Sequence, residues 1–175
     1  MFVIFNVYNI IYEKNMEIIV PIGVPGAGKT TLYKKKYSDY ILISTDEIRK
    51  ELTGSKSDQS RDEEVFTKAY DLISDCVNQG ISIYYDATNV STKRRKDFFD
   101  RFKGTDVKII YIVFPLNSHL YQKRIKIDLE NNIDRADISD ELFKSLVKSY
   151  KKSRRCGFKD ENVQEIRYIK LDELN

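Results

Sequence analysis

Residues 23 to 30 read Gly-Val-Pro-Gly-Ala-Gly-Lys-Thr: a glycine, four variable positions, then glycine, lysine and a hydroxyl residue. That order suits the binding of phosphate. Glycines at these places let backbone N–H groups curl around phosphate oxygens, and a helix beginning behind them adds partial positive charge. Lys29 would neutralise the β- and γ-phosphates of a nucleoside triphosphate, while the Thr30 hydroxyl would ligate Mg2+. Gly23, Pro25, Gly26, Ala27, Gly28, Lys29, Thr30 and Thr31 form the candidate cofactor-binding set, with ATP and Mg2+ as the cofactors. The competing account, a glycine-rich turn beside a surface lysine, fits poorly with a segment placed between an apolar run and a helical pattern.

Phosphoryl transfer needs alignment, charge neutralisation and a carboxylate that orients the attacking hydroxyl. Asp46 is the candidate carboxylate, with Arg49 one helical turn later on the same side of its helix. A neutral sugar would give Arg49 no anionic partner, so the Asp-x-x-Arg spacing favours an acceptor that carries phosphate. The alternatives are that Asp46 only complements a helix dipole and that Arg49 makes a surface salt bridge. Asp86, with Thr88 and Asn89 behind it, either orients Arg49 or holds magnesium-bound water, and an ordinary turn is its competing reading. Arg124 sits between Lys123 and Lys126, where a solvated charged face competes with a role at the phosphates. His119, the single histidine, reads as a structural or surface residue.

These side chains require a scaffold, and the periodicity supplies one. Short apolar runs at 17–22, 40–44, 81–86, 107–114 and 165–171 read as strands. Between them lie helical patterns: one after the glycine loop, one through Ile48 and Leu52, and one from Val65 to Val77. Further helical patterns run over 91–102, from about Leu116 to Leu129, and along Leu142 to Tyr150. Ser44 with Glu47, and Ser60 with Glu63, have capping-box spacing. Strands separated by helices cannot form hairpins, so the expectation is an α/β three-layer fold. It has a parallel five-stranded sheet, helices on both faces and a helical lid, with ligands at the carboxyl ends of the strands. Asp46 is expected near the end of a strand adjacent to the one that feeds the glycine loop.

The chain has 175 residues, 41% hydrophobic and 33% charged, which suits one ordinary globular domain and excludes wholesale disorder. A net charge of +3 gives no strong field for an anionic polymer, so any nucleic-acid contact must be local. The basic runs at 34–36, 93–96 and 151–155 lie on different helices and read mostly as solvated faces, while the twelve tyrosines read as core. Cys76 and Cys156 lack metal-ligand spacing, which fits a reduced, intracellular setting. Residues 1–15 are apolar but resemble neither a signal peptide nor a membrane span, and they read as an extension ahead of a domain over 16–175. GTPases would show a base-reading N-K-x-D segment and large motors would need more chain, which leaves a small phosphoryl-transfer kinase.

The glycine loop GVPGAGKTT, then Ser44-Thr45-Asp46-Glu47-Ile48-Arg49, then Asp86-Ala87-Thr88-Asn89 with Lys93-Arg94-Arg95 behind it, then Lys123-Arg124, carry a family likeness. From Met16 to about Tyr150 the chain resembles the kinase domain of phage-type polynucleotide 5′-kinases, the kinase part of polynucleotide kinase/phosphatase. The resemblance implies that Asp46 acts as general base on the acceptor hydroxyl and that Arg49 holds an acceptor phosphate. It also implies that Arg124 contacts the donor phosphates, and that the acceptor is a nucleic-acid 5′ end, with a functional link to a ligase. Two departures stand out. Ala87 intervenes between Asp86 and Thr88-Asn89, and a second lid arginine expected one turn after Arg124 falls on Asp128, leaving Arg135 or Lys126 as substitutes. No phosphatase domain follows, so the expected activity is addition of phosphate. Competing readings are a kinase of a nucleoside, sugar or antibiotic, and a non-catalytic nucleotide-binding switch. The residues do not distinguish RNA from DNA.

Overall fold

The computed structural model describes residues 16–158, 163–170 and 173. The expected extension, 1–15, lies outside the described residues. The described residues form five strands separated by one or two helices each, six helices in all. They are β1 (Glu17–Ile22), α1 (Lys29–Lys36), β2 (Ile41–Ser44), α2 (Thr45–Thr53), α3 (Asp62–Asn78), β3 (Ile83–Asp86), α4 (Thr92–Arg101), β4 (Lys108–Val113), α5 (Ser118–Glu130), α6 (Asp140–Cys156) and β5 (Glu165–Tyr168). All strand pairs are parallel and the order across the sheet is β2-β3-β1-β4-β5. In β1 and β4 every residue after the first is buried, with no alternation, which requires cover on both faces of the sheet. The three-layer α/β fold expected from the alternation is therefore the one present.

Strand order brings a correction. The strand leading to Asp46, β2, is separated from β1 by β3, so Asp86 and not Asp46 ends the strand beside the glycine loop. The physical reason lies in cover. Ile83, Tyr84 and Tyr85 of β3 are buried in succession, as a central strand demands, whereas β2 exposes Ile41 at 46% and stands at the sheet edge. Ser44 pairs with Asp86, which aligns the carboxyl ends of the two strands.

The helix ends follow local chemistry. Ser44, Ser91, Asn117 and Ser139 each accept a backbone N–H at the start of α2, α4, α5 and α6. Only half of the box at Ser44 forms, because the Glu47 carboxylate takes Lys56 Nζ at 2.6 Å instead of reaching back. The expected box at Ser60 and Glu63 does not form. Asp58 Oδ1 accepts from Ser60 N at 2.8 Å, turning the chain, and α3 starts at Asp62 with three acids complementing its dipole. Two other boundaries move: α6 runs on to Cys156, and β5 stops at Tyr168.

The basic run at 93–96 is not one solvated face, because Arg95 is 2% exposed. Its Nη1 donates to the Asn89 carbonyl at 2.7 Å and to Ser153 Oγ at 3.2 Å, and its guanidinium lies 4.9 Å from the Phe158 ring centre. Ser153 in turn donates to the Val90 carbonyl at 2.7 Å, so Arg95 ties the loop after β3 to α6. Arg95→Ala strands those acceptors and opens a void. The expected cost is about 3 kcal/mol of unfolding free energy, seen as a lower urea midpoint at unchanged slope.

Candidate active site

The carboxyl ends of β1, β2 and β3 open into a cleft of about 790 Å³. Its floor is the glycine loop. Gly28 (φ 98°) and Gly26 (φ 79°) adopt the left-handed backbone that glycine favours, and a Cβ on Gly26 would lie 2.7 Å from the Tyr121 carbonyl oxygen. Glycine is thus required at position 26 both by its turn and by the close approach of α5. Pro25, Gly26, Gly28, Lys29, Thr30 and Thr31 line the cleft. Gly23 and Ala27 sit behind it. Ala27 is fully buried, and the Gly23 N–H is held by the Thr88 carbonyl at 3.0 Å.

Lys29 is buried, and its Nζ donates to the carbonyls of Gly23 (3.0 Å) and Val24 (3.2 Å), folding the ammonium back onto its own loop. Burial lowers its pKa from the usual lysine value, while Asp86 and Asp46 pull it back up and Arg135 lowers it further. All three charged side chains therefore act on Lys29.

Thr30 donates from Oγ1 to Asp86 Oδ2 at 2.8 Å. Among the described residues no cluster of three or more His, Cys, Asp or Glu gathers as a metal site. Magnesium does not need one. It takes one or two protein oxygens and fills its octahedron with phosphate oxygens and water, so the Thr30 hydroxyl and Asp86 carboxylate suit it. Burial pushes the Asp86 carboxyl above the ordinary aspartate range, against the opposing pull of Lys29 and Thr30 and with a further push from Asp46. Asp86 makes no hydrogen bond to Arg49 among the described residues, so of its two expected roles only that beside Thr30 has a contact. A raised carboxylate pKa penalises the folded state at every pH above the folded value, and the penalty fades as the pH falls through that value toward the unfolded one. Asp86→Asn still accepts from Thr30 without the charge. The free chain should melt higher as Asp86→Asn at neutral pH, with the gap closing in acid, by scanning calorimetry.

Asp46 lies on the first turn of α2, its side chain 53% exposed to the cleft. Arg49 is 6% exposed, with Nη1 on Asp46 Oδ1 and Nη2 on Asp62 Oδ1, both at 2.8 Å. It is no surface salt bridge. Two carboxylates fix it, and its buried Nε has no hydrogen-bond partner. Asp46 keeps Oδ2 free of hydrogen bonds among the described residues. Asp62 was not singled out in the sequence, since one acid among three at a helix start looks like dipole complement.

Thr88 and Asn89 line the cleft. Asn89, at φ 51°, donates from Nδ2 to the Pro21 carbonyl at 2.9 Å, with longer contacts to Tyr85 and Ala87 carbonyls. Its amide nitrogen braces the loop and is not available to a substrate. Arg124 and Arg135 line the opposite side, from α5 and the loop behind it. Arg124 is half-buried over the Tyr121 ring, and Arg135 pairs through Nη1 with Asp128 at 2.5 Å, its buried Nε unpartnered. The acid in place of a second helix arginine thus holds the arginine that follows it. Lys126 is exposed and does not line the cleft, and His119 is exposed at the start of α5. Lys56, 9% exposed, joins Glu47 to Asp134, and Ser57 Oγ accepts from Asp137 N at 2.9 Å. The loop after α2 therefore meets the loop after α5.

The AAA domain family (AAA_33) matches residues 18–152, a span holding every cleft residue described above. The chain belongs to this family. It has the fold of a P-loop kinase domain. L-seryl-tRNA(Sec) kinase of Methanococcus maripaludis is 27% identical over 143 residues, covering 76% of this chain and 52% of the relative. The chain thus spans about half the length of the curated relative it matches. A chain from the structure of the Pnkp1/Rnl/Hen1 RNA repair complex superposes with a TM-score of 0.70 at 18% identity, over 81% of this chain and 46% of that one. A fungal RNA kinase superposes at 0.56 with 20% identity, over 89% and 75%. At those identities the structural likeness speaks to the fold. No described helix is long and apolar enough to cross a membrane.

Proposed function

We propose that this chain transfers the γ-phosphoryl group of ATP to the 5′-hydroxyl end of a polynucleotide. The observation that carries the reading is a single cleft with a phosphate-binding loop on its floor and an Asp46–Arg49 pair on its wall, Asp86 standing between their strands. Main-chain N–H groups of Gly26, Gly28, Lys29 and Thr30, with the Lys29 ammonium, hold the donor phosphates, and Arg124 and Arg135 meet them from the lid side. Thr30 and Asp86 would hold Mg2+, which supplies charge neutralisation at the donor phosphates when bound. Asp46 Oδ2 orients the attacking hydroxyl and takes its proton as the new O–P bond forms and the bond from the γ-phosphorus to the bridging oxygen breaks, with ADP as the leaving group. Arg49, held by Asp46 and Asp62, presents its remaining N–H to an acceptor phosphate. The RNA kinase and RNA repair neighbours support a polynucleotide acceptor, and a 5′-phosphate end is what a ligase consumes.

Transfer of label from γ-labelled ATP tests this on a panel of 5′-hydroxyl RNA, 5′-hydroxyl DNA, 3′-mononucleotides and free nucleosides. Label should appear on the polynucleotides. Label confined to free nucleosides or sugars would replace the reading with that of a small-molecule kinase. ATP binding with no acceptor labelled would replace it with that of a non-catalytic switch.

A further inference from the structure

Lys56 lines the cleft from the loop behind α2, and the proposed reaction gives it no part. Its side chain is only 9% exposed, which for a lysine demands partners. Three oxygens lie within reach of Nζ: Glu47 Oε1 at 2.6 Å, Asp134 Oδ2 at 3.1 Å and the Asp134 carbonyl at 3.2 Å. An ammonium has three protons to donate, so these contacts leave none for a substrate. What Lys56 joins is informative. Glu47 follows Asp46 on α2, and Asp134 precedes Arg135 in the loop between α5 and α6. One buried cation thus links the chain neighbours of two residues that the proposed reaction sets on opposite reactants. Other ties on the Arg135 loop converge on the same place. Ser57, beside Lys56, accepts from Asp137 N at 2.9 Å, and Lys50 of α2 reaches Asp134 Oδ2 at 2.9 Å. The Lys50 pair is largely exposed on both sides and contributes little. Asp128 holds the Arg135 side chain itself, from α5.

Resting on the proposed function, we propose that Lys56 is a positioning residue, which straps the Arg135 loop to α2 so that Arg135 meets the donor phosphates while Asp46 meets the acceptor. The strap acts through Arg135 and touches neither reactant. Without it Arg135 keeps its contact with Asp128 but loses its registration against α2, and a displacement of about 1 Å in a group that aligns the reactants costs up to ~100-fold in rate.

A double-mutant cycle on single-turnover transfer from saturating ATP to a 5′-hydroxyl oligonucleotide tests the strap. Lys56→Met keeps the volume and removes the charge. It should slow transfer about 10- to 100-fold, and Lys56→Arg should recover part of the loss. Arg135→Ala should slow transfer at least as much as Lys56→Met. In the chain carrying both substitutions the rate should equal that of Arg135→Ala alone, because the strap then has nothing left to position. A merely structural lysine would slow transfer by the same factor with or without Arg135. That multiplicative result, an unslowed Lys56→Met or an unslowed Arg135→Ala overturns the strap while leaving the kinase reading intact. Should Lys56→Met fail to fold, Glu47→Ala takes its place in the cycle, since it cuts the same strap at a carboxylate 60% exposed. Absence of transfer by the unsubstituted chain overturns the kinase reading and the strap with it.

Discussion

Asp46→Ala should lower phosphoryl transfer by about 10²- to 10⁴-fold, the usual worth of a positioned general base, while ATP binds almost as before. The two effects separate because, in the proposed reaction, Asp46 faces the acceptor. Its hydrogen bond is to Arg49, and the loop that would grip ATP makes no hydrogen bond with it among the described residues. Arg49 remains anchored by Asp62 in the variant, so the wall of the cleft stays in place. Asp46→Asn separates orientation from charge, since an amide oxygen still accepts from Arg49 but cannot take a proton. It should be as impaired as alanine. Titration with ATP and single-turnover transfer give both readouts, and normal transfer by either variant would remove Asp46 from the mechanism.

Lys29→Met should abolish transfer to a similar degree, about 10³-fold, the loss expected when a preorganised charge donor is removed from the transferring phosphoryl group. Here donor affinity falls as well. The free chain should not lose stability. Lys29 is buried with its pKa lowered, so at neutral pH its charge is a burden on the folded state, relieved only as the pH rises toward the ordinary lysine value. Its partners, the Gly23 and Val24 carbonyls, offset only part of that burden. Methionine fills a similar volume without the charge. A calorimetric melting temperature equal to or above that of the unsubstituted chain, beside lost transfer, is the expected pair of results. A large drop in melting temperature would make Lys29 structural.

What the sequence disclosed and what it hid divide along physical lines. The glycine loop was legible because backbone approach to phosphate demands glycine at fixed spacing, and the strands because apolar runs alternate with 3.6-residue periodicity. Strand order was hidden. β2 and β3 are both short apolar runs, and only the cover over Tyr84 and Tyr85 places β3 beside β1. Arg95 was hidden for a related reason, since Lys93 to Lys96 share charge in sequence while one guanidinium alone turns inward. Asp62 and Lys56 escaped notice because each acts through a partner far along the chain, Arg49 and Asp134 respectively. Arg124 was visible by its place on a charged helix. Arg135 gained its position from an ion pair with Asp128 that no motif records.

A crystal structure of the chain with ADP, Mg2+, aluminium fluoride and a 5′-hydroxyl oligonucleotide measures the central geometry directly. The 5′-oxygen should lie within hydrogen-bond reach of Asp46, about 2.6–3.2 Å, and in line with the fluoride-bearing centre held over Lys29. A 5′-end bound away from Asp46, with that carboxylate still closed on Arg49 alone, would contradict the account.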